Sequence, residues 1–300
     1  MVKKTIFLVL IIHIIGLKNV RKINKASLVM NIVLYVLIGV GITGGYHRLY
    51  THNSYDANIL IRRIILLLGA GAFQNSAIEW CSQHRMHHRF ENTDKSLDPY
   101  SIQKYCNDEC NTICRKPHMI LNFLHAHILF VFKDESSKFK MNKNKIIDEM
   151  KNNEWKEDYS VLLLQQKYYW LISVSVAIII PVLLSKKVLK DTWESAIGAT
   201  FLRIIWVWHS AFSINSLCHL FGERENKKIT AANNHLCSIL TFGEGYHNYH
   251  HQYPKDYYAS KNLAGFNVTA WLLRSLKFSG LIRNAKRGIM GKPGEYKIQS

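Results

Sequence analysis

The chain has 300 residues and a net charge of +18, from 39 Lys and Arg against 21 Asp and Glu; this length allows one large domain or two small ones. Mean hydropathy is near zero, but the average hides long apolar runs, so an ordinary soluble domain is a poor description. No Arg-rich tail or nucleic-acid motif accompanies the positive charge, which sets nucleic acid aside and points to anionic lipid head groups and acidic partners.

In chain order, Met1-Val2-Lys3-Lys4 precedes an apolar run, Thr5–Leu17. It falls short of the roughly twenty residues a spanning helix needs. No small-residue cleavage site follows, only Lys18-Asn19-Val20-Arg21-Lys22, so it reads as a short first span rather than a signal peptide. Ala26–Gly45 is a second span with no charge, interrupted only by Asn31, and Gly44-Gly45 let its end loosen. That matters because His47 and His52 stand five apart, about 140° around an ideal helix. They can face one ion only if the helix ends or distorts there.

Ile59–Ile78 is apolar enough for another span, but Arg62 and Arg63 load its start, and arginine deep in lipid is costly. A full crossing would also put His84, His87 and His88 on the far side from His47 and His52. The stretch is therefore expected to lie at the interface. Residues 91–160 are polar. Within them Cys106, Cys110, Cys114 and His118 repeat every four residues, a zinc site or simply a stripe of reduced thiols, and Lys133–Lys156 reads as a loop plus a short charged helix. Tyr168–Leu184 and Ser195–Ile214 are the third and fourth spans, joined by Ser185–Glu194, and return the chain to the side it left. Asn262–Leu281 is amphipathic, with Phe266, Val268, Trp271, Leu272 and Leu276 alternating with polar residues at helical spacing, and reads as a surface-packed helix with no catalytic role. Lys18, Arg21, Lys22 and Lys25, with Lys186, Lys187 and Lys190, load the loops on the side away from the histidines, against the positive-inside tendency.

The histidines carry the chemistry. His84, His87 and His88 stand at i, i+3 and i+4, one face of a helix, and His247, His250 and His251 repeat the spacing. With His47, His52 and His219 they make nine candidate imidazole ligands, too many for one ion. Two metals are implied, and an all-imidazole donor set suits redox iron better than structural zinc, which is usually four-coordinate and rich in Cys. His13, His118, His125, His127, His209 and His235 have no such partner spacing and are set aside as hydrogen-bonded structural residues.

Four blocks resemble the membrane stearoyl-CoA (acyl-CoA) Δ9 desaturase family. They are Gly41–His52 with its HxxxxH, Glu79–His88 and Gly243–His251 with HxxHH, and Asn215–Gly222 with NSxxHxxG. The likeness runs from about residue 28 to about residue 288. It implies an all-α integral membrane fold: four transmembrane helices capped by a cytosolic helical domain that holds a di-metal site. Residues 1–25 form the N-terminal segment and first span, 26–288 the desaturase domain (spans about 26–45, 168–184 and 195–214), and 289–300 a tail.

By this resemblance one iron takes His47, His52, His84, His88 and His251. The other takes His87, His219, His247, His250 and a water held by Asn215. Glu79 and Glu244 are expected to hydrogen-bond ligand imidazoles. An apolar tunnel bends at Gln74 and Trp80, and at positions where the family has Thr and Trp but this chain has Ala211 and Phe212. Its depth is set near Tyr35 and Gly39. Of the family's basic head-group positions, which fall at Ser82, Phe132 and Lys133, only Lys133 keeps its charge; Arg85 and Arg89 lie near enough in sequence to serve phosphates.

The implied reaction is O2-dependent Δ9 desaturation of sixteen- to eighteen-carbon acyl-CoA by two Fe ions, in the endoplasmic reticulum membrane, with the active site and both termini cytosolic. No HPGG-type haem motif is present, so cytochrome b5 and its reductase are expected as separate electron donors. The rivals are an acyl-lipid desaturase or hydroxylase of the same iron type and a non-catalytic membrane metal-binding protein.

Overall fold

The computed structural model describes residues 2–91, 93–105, 118–261, 263–288 and 296–299. The four-residue cysteine repeat at Cys106, Cys110 and Cys114 lies outside them; His118 is exposed at the start of a helix.

Three described helices are long and apolar enough to cross a bilayer. The first, α2, runs Lys25–Val40 and continues without a break as π-helix over Gly41–Thr51. The others are α8 (Tyr169–Val188) and α9 (Trp193–Leu220). The expected fourth, α1 (Val2–Lys18), is a shorter apolar helix of 17 residues, about 25 Å against a hydrocarbon core of about 30 Å. It packs antiparallel to α9: Gly16 lies against Leu202 and Ile205, and His13 Nε2 is 3.1 Å from His209 Nε2.

The spans overrun the apolar stretches visible in the sequence. At 28 residues, α9 is about 42 Å long, so its last turns stand clear of the lipid and carry Asn215 and His219 with them. Parallel to it, α2 is fixed along its length by Asn24 N–H donating to Ser195 Oγ (2.8 Å), Arg203 Nε–H donating to Asn31 Oδ1 (3.1 Å), and Tyr35 OH against Ser210 Oγ (2.7 Å). Both helices therefore end at the same level, and both bring histidines there.

Ile59–Ala70 (α3) has only 12 residues and stops at Gly71, so the stretch does not span, as expected. It lies against the π-helical part of α2. The approach is close enough that a Cβ on Gly41 would stand 2.5 Å from the Gly69 amide nitrogen. Arg62 and Arg63 both pair with Asp158, at 2.5 and 2.8 Å. After a turn, the Ser76 hydroxyl caps Ala77–Phe90 (α4), which carries the first HxxHH.

The remaining described helices form the cap: α5 (His118–His127), α6 (Ser137–Asn153), α7 (Tyr159–Lys167), α10 (His235–Leu240), α11 (His247–Gln252) and α12 (Val268–Phe278). The expected charged helix, α6, is longer than the sequence suggested and buries Phe139, Ile146 and Met150 along one stripe. In α12 the buried face is Thr269, Ala270 and Leu273, while Trp271 and Leu272 are exposed. The mostly helical fold, as expected, also carries two short strand pairs. Asp56–Ala57 pairs antiparallel with Ile282–Arg283, and Ala285–Gly288 with Tyr296–Gln299, so residues expected as a tail include a strand.

Candidate metal centre

The π-helix resolves the spacing problem of the first histidine pair. With i→i+5 hydrogen bonding, residues five apart stack about one turn above each other. His52 N–H donates to the His47 carbonyl at 3.1 Å, and both imidazoles face inward from one helix side. α4 adds His84, His87 and His88, the end of α9 adds His219, and α11 adds His247, His250 and His251.

All nine meet in two groups whose ligand atoms lie within 4.8 Å of one another. One is His47, His52, His84, His88 and His250; the other is His87, His219, His247 and His251. This exchanges His250 and His251 relative to the expected sets. The two are adjacent on α11, and His250 Nε2 reaches His47 Nε2 (2.9 Å) and His88 Nε2 (3.0 Å), while His251 Nε2 lies 3.1 Å from His247 Nε2.

The donor set fits two cations. His47 Nδ1–H donates to Glu244 (3.0 Å), His87 Nδ1–H to Asp98 (2.9 Å), His219 Nδ1–H to Thr230 Oγ1 (2.9 Å), and His251 Nδ1–H to Glu91 (2.5 Å). Each of these bonds fixes the tautomer and leaves Nε2 as a bare lone pair aimed at the cluster. His87 Nε2 is buried with no hydrogen-bond partner, a cost that a bound cation removes. Burial, then the neighbouring imidazoles, pushes His84, His88, His247 and His250 well below the ordinary imidazole range, so they are neutral and ligand-competent. Burial acts against the ionised form of Glu244, yet Arg48 and His47 hold it down at about 2. Glu91 is likewise held well below its ordinary value against burial, chiefly by His251.

Of the two carboxylates expected beside the imidazoles, Glu244 is there and Glu79 is not. Glu79 pairs with Lys143 at 2.7 Å, because it sits in the first turn of α4 facing α6. Glu91 and Asp98 take the remaining places. Their signal was present, since both follow His88 within three turns of chain.

A cavity of about 1060 Å³ passes the clusters, with His47, His84, His247 and Asn215 in its wall. Gln74, Trp80, Ala211 and Phe212 line it too; Trp80 Nε1–H donates to Gln74 Oε1 (3.2 Å), and its ring stacks on His84. Tyr35 and Gly39 are not among the lining residues. Neither are Arg85, which binds the Thr51 carbonyl and Glu154, and Arg89, which binds Glu149. Lys133, a head-group candidate from the sequence, does line the cavity, together with Lys104 and His125, which were not foreseen.

A family model described as Fatty acid desaturase matches residues 26–264. The chain belongs to the fatty acid desaturase family. It is 30% identical to stearoyl-CoA desaturase 5 of Bos taurus over 95% of this chain and 79% of that protein. It is 33% identical to the acyl-CoA Delta(11) desaturase of Spodoptera littoralis over 83% of this chain and 68% of the relative. It is also 33% identical to the acyl-CoA Delta-9 desaturase of Acheta domesticus, over 79% and 60%. The histidine clusters of this family member are able to bind metal ions, and its three long apolar helices make it a membrane protein.

Proposed function

We propose that the protein is an acyl-CoA Δ9 desaturase that uses two irons and O2 to place a cis double bond in saturated chains of sixteen to eighteen carbons. The observation that carries the reading is the meeting of nine imidazoles, from four separated blocks, in two groups on the wall of one cavity. Iron held there by the imidazoles would activate O2, the oxidant needed to remove hydrogen from an unactivated methylene, which no side chain can do alone.

The chain's own residues do the rest. A methylene has no polar handle, so the cavity wall must choose the carbon by shape. Trp80, held by Gln74 and stacked on His84, forms a rigid wall beside one cluster. Asn215 and His247 line the cavity beside the other, and the Asn215 amide is suited to hold a water there. Lys104 and Lys133, with the ring of His125, offer donors to an anionic head group at the polar end. That is phosphate chemistry suited to coenzyme A, in place of the arginines first expected. The basic charge of the chain suits an acidic electron donor such as cytochrome b5, served by its reductase. The setting is the endoplasmic reticulum membrane with the metal face cytosolic.

A Delta-11 relative lies as near in identity as a Delta-9 one, so the position of the bond is the property to measure. Expression in a host lacking its own desaturase, followed by double-bond location in total acyl chains, tests it. A cis bond at the ninth carbon is expected. A bond at the eleventh, a hydroxyl group, or no new product contradicts the reading.

A further inference from the structure

Two cavity walls run on past the cavity. On α2, Thr43 lines it; Gly39 and Tyr35 follow at i−4 and i−8, on the same helix face. On α9, Ile214 lines it, and Ser210 follows one turn back. The wedge between these faces closes at its far end, where Tyr35 OH lies 2.7 Å from Ser210 Oγ and 2.5 Å from the Leu240 carbonyl. What fills the wedge is Phe242. A Cβ on Gly39 would run into its ring, which lies 4.9 Å from that of Tyr35.

Phe242 is held there at a cost. Its φ is 61°, a left-handed conformation that a bulky residue rarely adopts. The Phe242 carbonyl accepts the Thr269 amide (3.0 Å), and the Thr269 hydroxyl meets that of Thr43 on the cavity wall (2.6 Å). Two residues on, Glu244 holds His47 and Arg48. The ring is thus fixed to the same frame as one metal cluster, at a set depth from it.

We infer that Phe242 is the stop against which the methyl end of the acyl chain rests, and that it, rather than Gly39, limits chain length; this rests on the acyl-desaturation reading above. Gly39 acts as the hollow that lets the ring lie across the wedge. Removing the ring opens about one helical turn of space, ~5.4 Å, enough for about two to four further carbons.

The test uses the full-length membrane protein with saturated acyl-CoAs of fourteen to twenty carbons, recording product and double-bond position. Phe242→Gly removes the ring and suits the positive φ; Phe242→Leu removes only part of it, and metal content reports that each variant has folded. The ratio of twenty-carbon to sixteen-carbon turnover is expected to rise about tenfold in Phe242→Gly and less in Phe242→Leu, with the bond position counted from the carboxyl end unchanged. An unchanged chain-length profile in both variants, with an active parent, overturns this inference alone. An inactive parent overturns the desaturation reading together with it.

Discussion

At the scale of residues, the structure gives the carboxylates as much to do as the imidazoles. Glu91 orients His251 at 2.5 Å and lies 3.4 Å from His219, so one side chain steadies two ligands of the same cluster. Glu91→Gln keeps the shape but loses the charge, and should weaken metal retention in that cluster about 10- to 100-fold, measured by metal titration of stripped protein. His87→Ala and His250→Ala remove one ligand from each cluster. Each should abolish turnover and lower bound metal while the protein still inserts in membranes; unchanged metal content in either would remove that histidine from the ligand set. Six of the nine histidines were legible because HxxHH spacing is a helix-face signal; His47 and His52 came from the HxxxxH pair and His219 from the NSxxHxxG block. Their division between clusters was not, because His250 and His251 are neighbours whose destinations differ only by a helix rotation. Glu91 stood in view just after His88, but its partners were not legible for a similar reason: a carboxylate's partner depends on which helix end it caps, and only packing decides that.

At the scale of elements, the π-helical end of α2 is the device that lets H-x4-H serve one ion. The sequence showed that a distortion was needed, and Gly44-Gly45 suggested where, but not that it would take the form of a wider helix continuous with the span. The close packing of α3 on this segment depends on Gly41. Gly41→Ala presses a methyl onto backbone at Gly69 and Leu68, which cannot swing away, so a loss of about 1–3 kcal/mol is expected, with weakened metal binding at His47 and His52. A thermal shift assay alongside metal analysis reads both, and wild-type values for the variant would show that the approach of the two helices is not needed. The length of α6 and its buried stripe were not legible because its Lys, Asn and Glu content masks Phe139, Lys143, Ile146 and Met150 at helical spacing. Lys143 in that stripe joins Glu79 and Glu135, both at 2.7 Å, which ties α6 to the start of α4.

At the scale of the whole molecule, parallel spans that end at one level gather ligands separated by some two hundred residues of chain. The arrangement has a pH consequence for the metal-free protein. His84, His88, His247 and His250 are held neutral by burial, their folded pKa values lying below the unfolded one. As pH falls through the unfolded value, about 6.5, the unfolded chain takes up protons that the folded one refuses, so stability must fall. Stripped protein should therefore lose thermal stability as pH falls below about 6.5, and metal added at pH 7 should raise stability above that of stripped protein; a flat profile in stripped protein would mean that these imidazoles are not buried together. The crossing number was the least legible feature at this scale. Hydropathy marks where lipid contact begins, but α2 and α9 run on past it to carry the site, and α1 falls short.

We propose that the two histidine cages each hold an iron, on one side of the membrane. Quantifying metal in protein purified from iron-replete cells tests it most directly. Two equivalents of iron per chain are expected, falling in His47→Ala and in His219→Ala alike. A single equivalent unaffected by one of these substitutions, or zinc in place of iron, would contradict the account.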